Sequence, residues 1–390
     1  MALPTYTIST SVVNVDCTNT SKVLFLPPAS TIQGVSLIIR DCAGTASDVS
    51  TAYISTQGLD RMDTYASTLQ LSTAYQSIRV VAWKPTEFAI LQNYIYGITP
   101  FAVKFEQGLA WNPRDSVRNW STVAVNLAGD VLLAGVAGGF LYRSIDSGAS
   151  WTQTGPSFSW SGVALSLSGV NMVAVSSDDR IYVSLDTGSS WSPKASIKPW
   201  SCVCCSSDGA IILAGVTGDT LYLSTDTGET WSPTNITADY TGVACSADGV
   251  TMYAVTNAGQ IYVSTDTGSS WTARDSSRNW TAVACTSDGV TAFATEGTYI
   301  YKSTDTGTSW NPNLGYPGAW DGITCSLNAD IVIAINSTTG YLNFSENFGS
   351  DYKNSGDPLG YTSVATNGSG SVSIASVNPG LLYLGLIQLL

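Results

Sequence analysis

Beyond residue 120 the chain reads as short apolar runs separated by polar, glycine-containing turns, and the turns recur at a fixed distance. The unit that follows Tyr240 shows the pattern. Residues 242–246 form an apolar run that ends in Ala247-Asp248-Gly249. Residues 251–256 form a second run, ending at Asn257-Ala258-Gly259. Residues 260–264 form a third around Ile261-Tyr262-Val263, and a fourth begins near Trp271. Four antiparallel strands in about forty residues predict one β-propeller blade. An aromatic opens the first strand of each unit, at Trp120, Trp160, Trp200, Tyr240, Trp280, Trp320 and Tyr361. Seven openings predict an all-β, seven-bladed propeller.

The third and fourth strands are joined by the phrase Ser-x-Asp-x-Gly-x-x-Trp. Intact copies stand at Ser144-Asp146-Gly148-Trp151, Ser184-Asp186-Gly188-Trp191, Ser224-Asp226-Gly228-Trp231, Ser264-Asp266-Gly268-Trp271 and Ser303-Asp305-Gly307-Trp310. A degenerate copy is Ser345-Asn347-Gly349-Tyr352, and the remnant of another is Glu106-Gly108-Trp111. The closing aromatics lie 40, 40, 40, 40, 39 and 42 residues apart. Each residue type suits a hairpin turn. Asp accepts hydrogen bonds from nearby amides, Gly supplies a backbone angle other residues resist, and Ser adds a local bond. Trp folds back as an apolar anchor. The phrase resembles the Asp-box, or BNR repeat, of sialidases, sortilin-type receptors, some xyloglucan hydrolases and a photosystem assembly factor. The resemblance implies a fold element, in which Asp146, Asp186, Asp226, Asp266 and Asp305 shape turns and neither catalyse nor bind metal.

The ends of the repeat region predict closure. The last unit, 361–390, supplies three strands and no such turn. The missing piece lies at the front: Arg114-Asp115-Ser116-Val117-Arg118-Asn119-Trp120 nearly duplicates Arg274-Asp275-Ser276-Ser277-Arg278-Asn279-Trp280. A strand near 109–115 is therefore expected to complete the last blade of a propeller spanning 101–390, which removes open sheet edges. Residues 101–105 and 381–385 both align with a third strand; the C-terminal one is favoured, with 101–105 as a lead-in.

A length of 390 residues suggests two domains. The first hundred lack the repeat and alternate short strand-like runs with turns such as Pro27-Pro28-Ala29-Ser30, which predicts a small all-β docking domain of sandwich type over 1–100. The runs Ser21-Lys22-Val23-Leu24-Phe25-Leu26-Pro27, Leu37-Ile38-Ile39-Arg40-Asp41 and Ile54-Ser55-Thr56-Gln57-Gly58-Leu59-Asp60 are similar to small β-domains of virion or fibre-like proteins of large double-stranded DNA viruses. So are Tyr75-Gln76-Ser77-Ile78, Trp83 and Ile90-Leu91-Gln92-Asn93-Tyr94. This resemblance implies a particle-associated role and says nothing of catalysis.

Composition narrows the function. A net charge of −13 without any basic run excludes nucleic-acid binding and disfavours an anionic membrane surface. The start, Met-Ala-Leu-Pro-Thr-Tyr-Thr, does not read as a secretory signal, and no apolar stretch is long enough for a membrane span, so a virion or otherwise cytoplasmic location is expected. The chain has no His, which removes the commonest general base and metal ligand. Of eight Cys, Cys205, Cys245, Cys285 and Cys325 follow the repeat and read as small reduced hydrophobes, since repeated positions on neighbouring blades are usually too far apart to pair. Cys202, Cys204 and Cys205 alternate along one strand and do not read as a metal site. Cys17 and Cys42 leave pairing open. No cofactor is expected.

In a propeller the loops joining the fourth strand to the next first strand, and the second to the third, share one end. That end carries Arg114, Asp115, Arg118, Asn119, Arg274, Asp275, Arg278, Asn279, Asp178, Asp179, Arg180, Asp219, Asp239, Glu296 and Asp321. Trp120, Trp160, Trp200, Tyr240, Trp280 and Trp320 near its rim, with Arg118 and Arg278, are the ligand-binding candidates, as sugar-stacking platforms. The regular spacing of the aromatics favours packing between blades over that role. Sialidases pair the Asp-box with an arginine triad, and none of the nine Arg here stands in the expected Arg-Ile-Pro context. Two carboxylates among Asp219, Asp239, Asp275 and Glu296 could serve a glycosidase if about 5–10 Å apart. The leading expectation is a non-catalytic interaction module, a capsid-associated or fibre-like virion protein whose partners are other virion proteins. A glycan-binding attachment lectin and a glycoside hydrolase are the alternatives, and a photosystem-assembly role would call for a targeting peptide.

Overall fold

The computed structural model describes residues 108–388, with side chains from 111 to 386, and the backbone of eight strands before them. These are β1 (Thr5–Thr7), β2 (Val12–Val15), β3 (Lys22–Leu26), β4 (Ser36–Asp41), β5 (Ala52–Thr56), β6 (Thr68–Leu71), β7 (Gln76–Lys84) and β8 (Glu87–Ile95). They form two four-stranded sheets, β1-β3-β5-β6 and β2-β4-β7-β8. The first five strands alternate between the sheets, so β1, β3 and β5 run parallel, as do β2 and β4. Parallel neighbours need a long crossover, and here each crossover includes a strand of the other sheet. Cys17, Cys42 and residues 101–105 lie outside the described residues. The chain from Leu109 to Ile387 forms a separate compact unit.

That unit is a seven-bladed propeller, as the repeat predicts, with seven antiparallel four-stranded sheets. Strand β9 (Gly108–Arg118) precedes the first blade, which is β10 (Trp120–Val125), β11 (Leu132–Val136), β12 (Gly139–Ser144) and β13 (Thr152–Phe158), paired in chain order. Five further blades repeat the order. The seventh takes strands Tyr361–Thr366, Val372–Val377 and Gly380–Gln388 from the C-terminus and β9 as its outer strand.

The second strand of each blade is buried almost throughout because a blade is covered on both faces. Consecutive residues therefore serve different junctions: Leu132 packs with the seventh blade's Ile374 and Leu384, and Leu133 with the second blade's Trp160 and Met172. Seven such inter-blade cores ring the molecule. The inner strands meet on a fixed stagger. The next-to-last residue of one inner strand shares a core with the last residue of the next. Ala124 meets Leu165, Ala164 meets Cys205, Ala244 meets Cys285, Ala284 meets Cys325 and Ala365 meets Val125.

Two belts of hydrogen bonds tie the inner strands together. At one end, pairing slips by one residue after each opening aromatic, as between Trp120 and Thr122. This bulge recurs in every blade. A bulge re-aims its extra residue. Here the extra residue's hydroxyl reaches the next blade: Ser121 donates to the Trp160 carbonyl at 2.6 Å, Ser161 to Trp200 at 2.6 Å, and Thr241 to Trp280 at 2.8 Å. At the other end the belt is backbone. Leu127 N–H donates to Leu167, Leu167 to Ser207, Ser207 to Ala247, Ala247 to Ser287, Ser287 to Leu327, and Leu327 to Gly368, all between 2.7 and 3.1 Å. The Asn367 side-chain amide completes the circle by donating to the Leu127 carbonyl at 3.3 Å.

The Ser-x-Asp-x-Gly-x-x-Trp turns cap the second end. Buried Ser224 donates to Asp226 Oδ1 at 2.8 Å and accepts from Gly228 N–H at 2.9 Å. Asp226 in turn accepts from the amide and hydroxyl of Thr230, at 2.8 and 2.5 Å. Thr227 and Gly228 both take left-handed backbone, with φ of 59° and 85°. The Trp231 indole closes the turn on the Gly228 carbonyl at 3.0 Å. Asp146, Asp186, Asp266 and Asp305 hold the same bonds. Donation from Ser or Thr pulls the carboxyls of Asp146, Asp186, Asp226 and Asp305 down to about 2, and lowers that of Asp266.

Candidate functional site

The loop end, where strands one and four exchange, gathers most of the polar residues singled out in the sequence. The opening aromatics are part of its foundation and not of its surface. Trp120, Trp160, Trp200, Tyr240, Trp280 and Trp320 are at most 2 % exposed. Each ring packs between blades, and several brace the loop above. The indole of Trp120 donates to the Ser116 carbonyl at 3.3 Å, Trp200 to Ser196 at 3.3 Å, and Tyr240 donates to Ile236 at 2.8 Å. A sugar would reach these ring faces only if blades separated, so the geometry gives the aromatics to packing.

The cations lie above that layer. Arg118 places its guanidinium 4.1 Å from the Tyr142 ring centre and 5.6 Å from Trp120, while its Nε stands 3.5 Å from Asp115. Arg278 repeats this over Tyr301 at 4.8 Å and Trp280 at 5.8 Å, with Asp275 at 3.6 Å. Asp115 and Asp275 both take left-handed backbone, with φ of 52° and 55°. A third junction uses different residues for the same arrangement: Lys198 lies 5.0 Å from the Tyr222 ring and 2.6 Å from Asp219. That contact raises the Lys198 pKa and lowers that of Asp219. Arg118 and Arg278 thus stand at separate junctions and do not form one site.

Several carboxylates of this end are engaged in bonds to nearby loops. Asp178 accepts from Ser176 at 2.5 Å and from the Ser159 amide at 2.9 Å. Asp179 is buried and accepts from Tyr182 at 2.7 Å; burial, then this bond, pushes the Tyr182 phenol up to about 12. Glu296 caps the Thr298 and Tyr299 amides, each at 3.2 Å. Asp239 and Asp321 are exposed. Among the described residues no group of three or more Cys, Asp or Glu is arranged to hold a metal ion.

The closing junction, between the seventh and first blades, opens into a cleft of about 540 Å³. Arg118 and Asn119 form one side, Gly138, Gly139 and Phe140 another, and Tyr142, Gln153 and Pro379 complete it. Phe140 is 37 % exposed and nearby Val117 is 67 % exposed. Of these residues the sequence reading had singled out Arg118 and Asn119. Phe140 carries a signal that comparison of repeats could have caught, because Arg180, Thr220 and Gln260 occupy its place in the next three blades. The cleft offers an exposed phenyl ring, a stacked guanidinium and amide groups. Such groups suit holding a partner, and among these lining residues no nucleophile is paired with a base.

No protein-family model and no curated relative matches the chain. Solved structures do resemble it. YCF48 from Cyanidioschyzon merolae superposes with a TM-score of 0.57 at 14% identity, covering 71% of this chain and 98% of that one. A structure of YCF48 bound to D1 peptide gives 0.58 at 13% identity, covering 72% and 96%. The β-propeller domain of Cps50 (Swd1) from Myceliophteria thermophila gives 0.58 at 13% identity, covering 70% and 99%. At these identities the likeness is one of fold, and the fold it shows is the propeller.

Proposed function

We propose that the chain is a non-catalytic interaction module that takes a protein segment at the cleft of its closing junction. We further propose that it serves as a capsid-associated or fibre-like protein of a virus particle. The cleft carries the first part. Exposed aromatic and arginine side chains grouped in a concavity are the contacts that dominate protein interfaces. YCF48, a propeller of similar fold, is known with a bound peptide, so the architecture accommodates such a ligand. The particle role draws its support from the resemblance of the first hundred residues. Glycan attachment and glycoside hydrolysis have less support, since the rings are sealed between blades and Asp219, Asp275 and Glu296 are engaged with Lys198, Arg278 and loop amides.

The test is hydroxyl-radical footprinting of the full chain, free and within purified particles. The chain should be present in particles in fixed stoichiometry, with Phe140 and Pro379 protected there. Absence from particles would remove the virion role. Presence with protection confined to the Ser-x-Asp turns would move the contact to the opposite end and overturn the cleft.

A further inference from the structure

The stagger between inner strands brings two residues into one core at six blade junctions, and at five of these one of the two is alanine. Between the third and fourth blades both are cysteine, Cys204 and Cys245, in one core with Leu213, Val243 and Ala254. The Cys245 side chain lies close enough to Cys204 to raise its pKa. Three residues after Cys204 and two after Cys245, the Ser207 amide donates to the Ala247 carbonyl at 2.8 Å, so the backbones close to sheet-like distance just beyond the pair. Disulfides need that proximity, with Cα atoms about 4.4–6.8 Å apart. Both cysteines are free, and the Cys204 thiol is buried. Cys245 also lines a cavity of about 110 Å³ bounded by the backbone belt, with Cys205, Cys285 and Cys325 around it. Such a space admits molecules of water or peroxide size.

We propose that Cys204 and Cys245 are an oxidation site that closes to an inter-blade disulfide in the presence of a small peroxide. The Cys245 thiolate attacks one peroxide oxygen, the O–O bond breaks, and Cys245 becomes a sulfenic acid as water leaves. The Cys204 sulfur then attacks the Cys245 sulfur and expels a second water. Two thiols lose two electrons and two protons, and one peroxide is reduced to two waters. The neighbouring Cys245 and burial hold the Cys204 thiol well above its usual range, so closure accelerates with rising pH. Cys205, Cys285 and Cys325 reach the same cavity, but each shares its blade junction with alanine where Cys245 shares its own with Cys204.

The experiment oxidises the folded full chain with hydrogen peroxide, blocks remaining thiols after unfolding, and digests with chymotrypsin, which cuts between the two sites at Tyr222, Trp231 and Tyr240. A linked peptide pair joining Cys204 to Cys245, lighter than the sum by two hydrogens and released by reductant, is expected. The propeller melting midpoint should rise by about 5 °C or more, reversibly. Cys204→Ala installs the residue five junctions already carry, so it should fold, lose the linked pair, and leave Cys245 trappable as a sulfenic acid. Full alkylation of Cys204 and Cys245 in peroxide-treated wild-type protein would overturn the proposal. So would a disulfide joining either one to Cys205, Cys285 or Cys325.

Discussion

The two ends of the propeller come from the same repeats, yet one end is nearly invariant and the other is not. In the five intact turns the Ser hydroxyl meets the Asp carboxylate at 2.7–2.8 Å, and the Gly amide meets the Ser hydroxyl at 2.8–2.9 Å. At the loop end, a cation stands over a third-strand tyrosine at three junctions, supplied by Arg118, Lys198 and Arg278 with carboxylate partners in different loops. The turn end answers a demand that recurs in each blade: a tight reversal whose donors must be satisfied. At the loop end the recurring demand stops at the bulge after each opening aromatic, and above it the junctions diverge. The near-duplicate loops around Arg118 and Arg278 sharpen the point. Their salt bridges and ring contacts agree within an ångström, while the walls around Arg118 include Phe140 and Pro379.

If the buried aromatic layer separates these ends, its removal should have the largest effect. Trp200→Ala empties a fully buried site whose ring packs edge-on to Tyr222 at 5.2 Å. The expected loss is about 3–5 kcal/mol in the denaturant midpoint analysis of the propeller transition. Ser224→Ala comes next. It leaves the buried Gly228 amide without its acceptor, for an expected loss of about 1–3 kcal/mol by the same measurement. The turn carboxylates add a pH dependence. Their folded pKa values lie near 2, below the ordinary 3.8, so their contribution is present above about pH 4. It is lost as pH falls from about 4 toward 2. An acid titration by circular dichroism should show destabilisation in that window. An Asp226→Asn variant should show a smaller drop than the parent.

Much of the turn end was legible in the sequence because each blade restates it. The period, the four runs and the opening aromatics announce seven blades. What the period cannot state is which side of a rim an aromatic occupies: Trp120 or Trp280 at forty-residue spacing fits a ligand platform and a buried wedge alike. The bulge was half visible, since a hydroxyl residue follows the aromatic at Ser121, Ser161, Ser201, Thr241, Thr281 and Thr362, with Asp321 the exception. The cleft was not visible, because Phe140 and Pro379 meet only once the ring closes. Nor was the approach of Cys204 to Cys245, which depends on a one-residue stagger between neighbouring inner strands that the forty-residue spacing hides.

The ring closure itself is open to a smaller perturbation. Asn367 occupies the place of Ser206 and Ser246, and it alone among them supplies a belt bond from its side chain. Asn367→Ser should retain an acceptor for the Val372 amide and lose the bond to Leu127, at about 0.5–1.5 kcal/mol in denaturant unfolding.

Arg118→Ala should have the smallest effect on stability and the largest on binding, and so tests the contrast between the two ends directly. Its ion pair with Asp115 is partly exposed, at 31% and 17% side-chain exposure, and a long 3.5 Å pair of this kind contributes about 1 kcal/mol. The guanidinium's stacking on Tyr142 adds an amount of the same order. The melting midpoint should therefore fall by only about 2 °C. Partner capture from disrupted particles should fall at least about tenfold, the loss expected for a central arginine anchor. Arg278→Ala removes the same contacts at a junction without Phe140 and Pro379. It should match the small change in melting and leave capture intact. Equal loss of capture in both variants would mean that the duplicated loops, and not the closing cleft, form the binding surface.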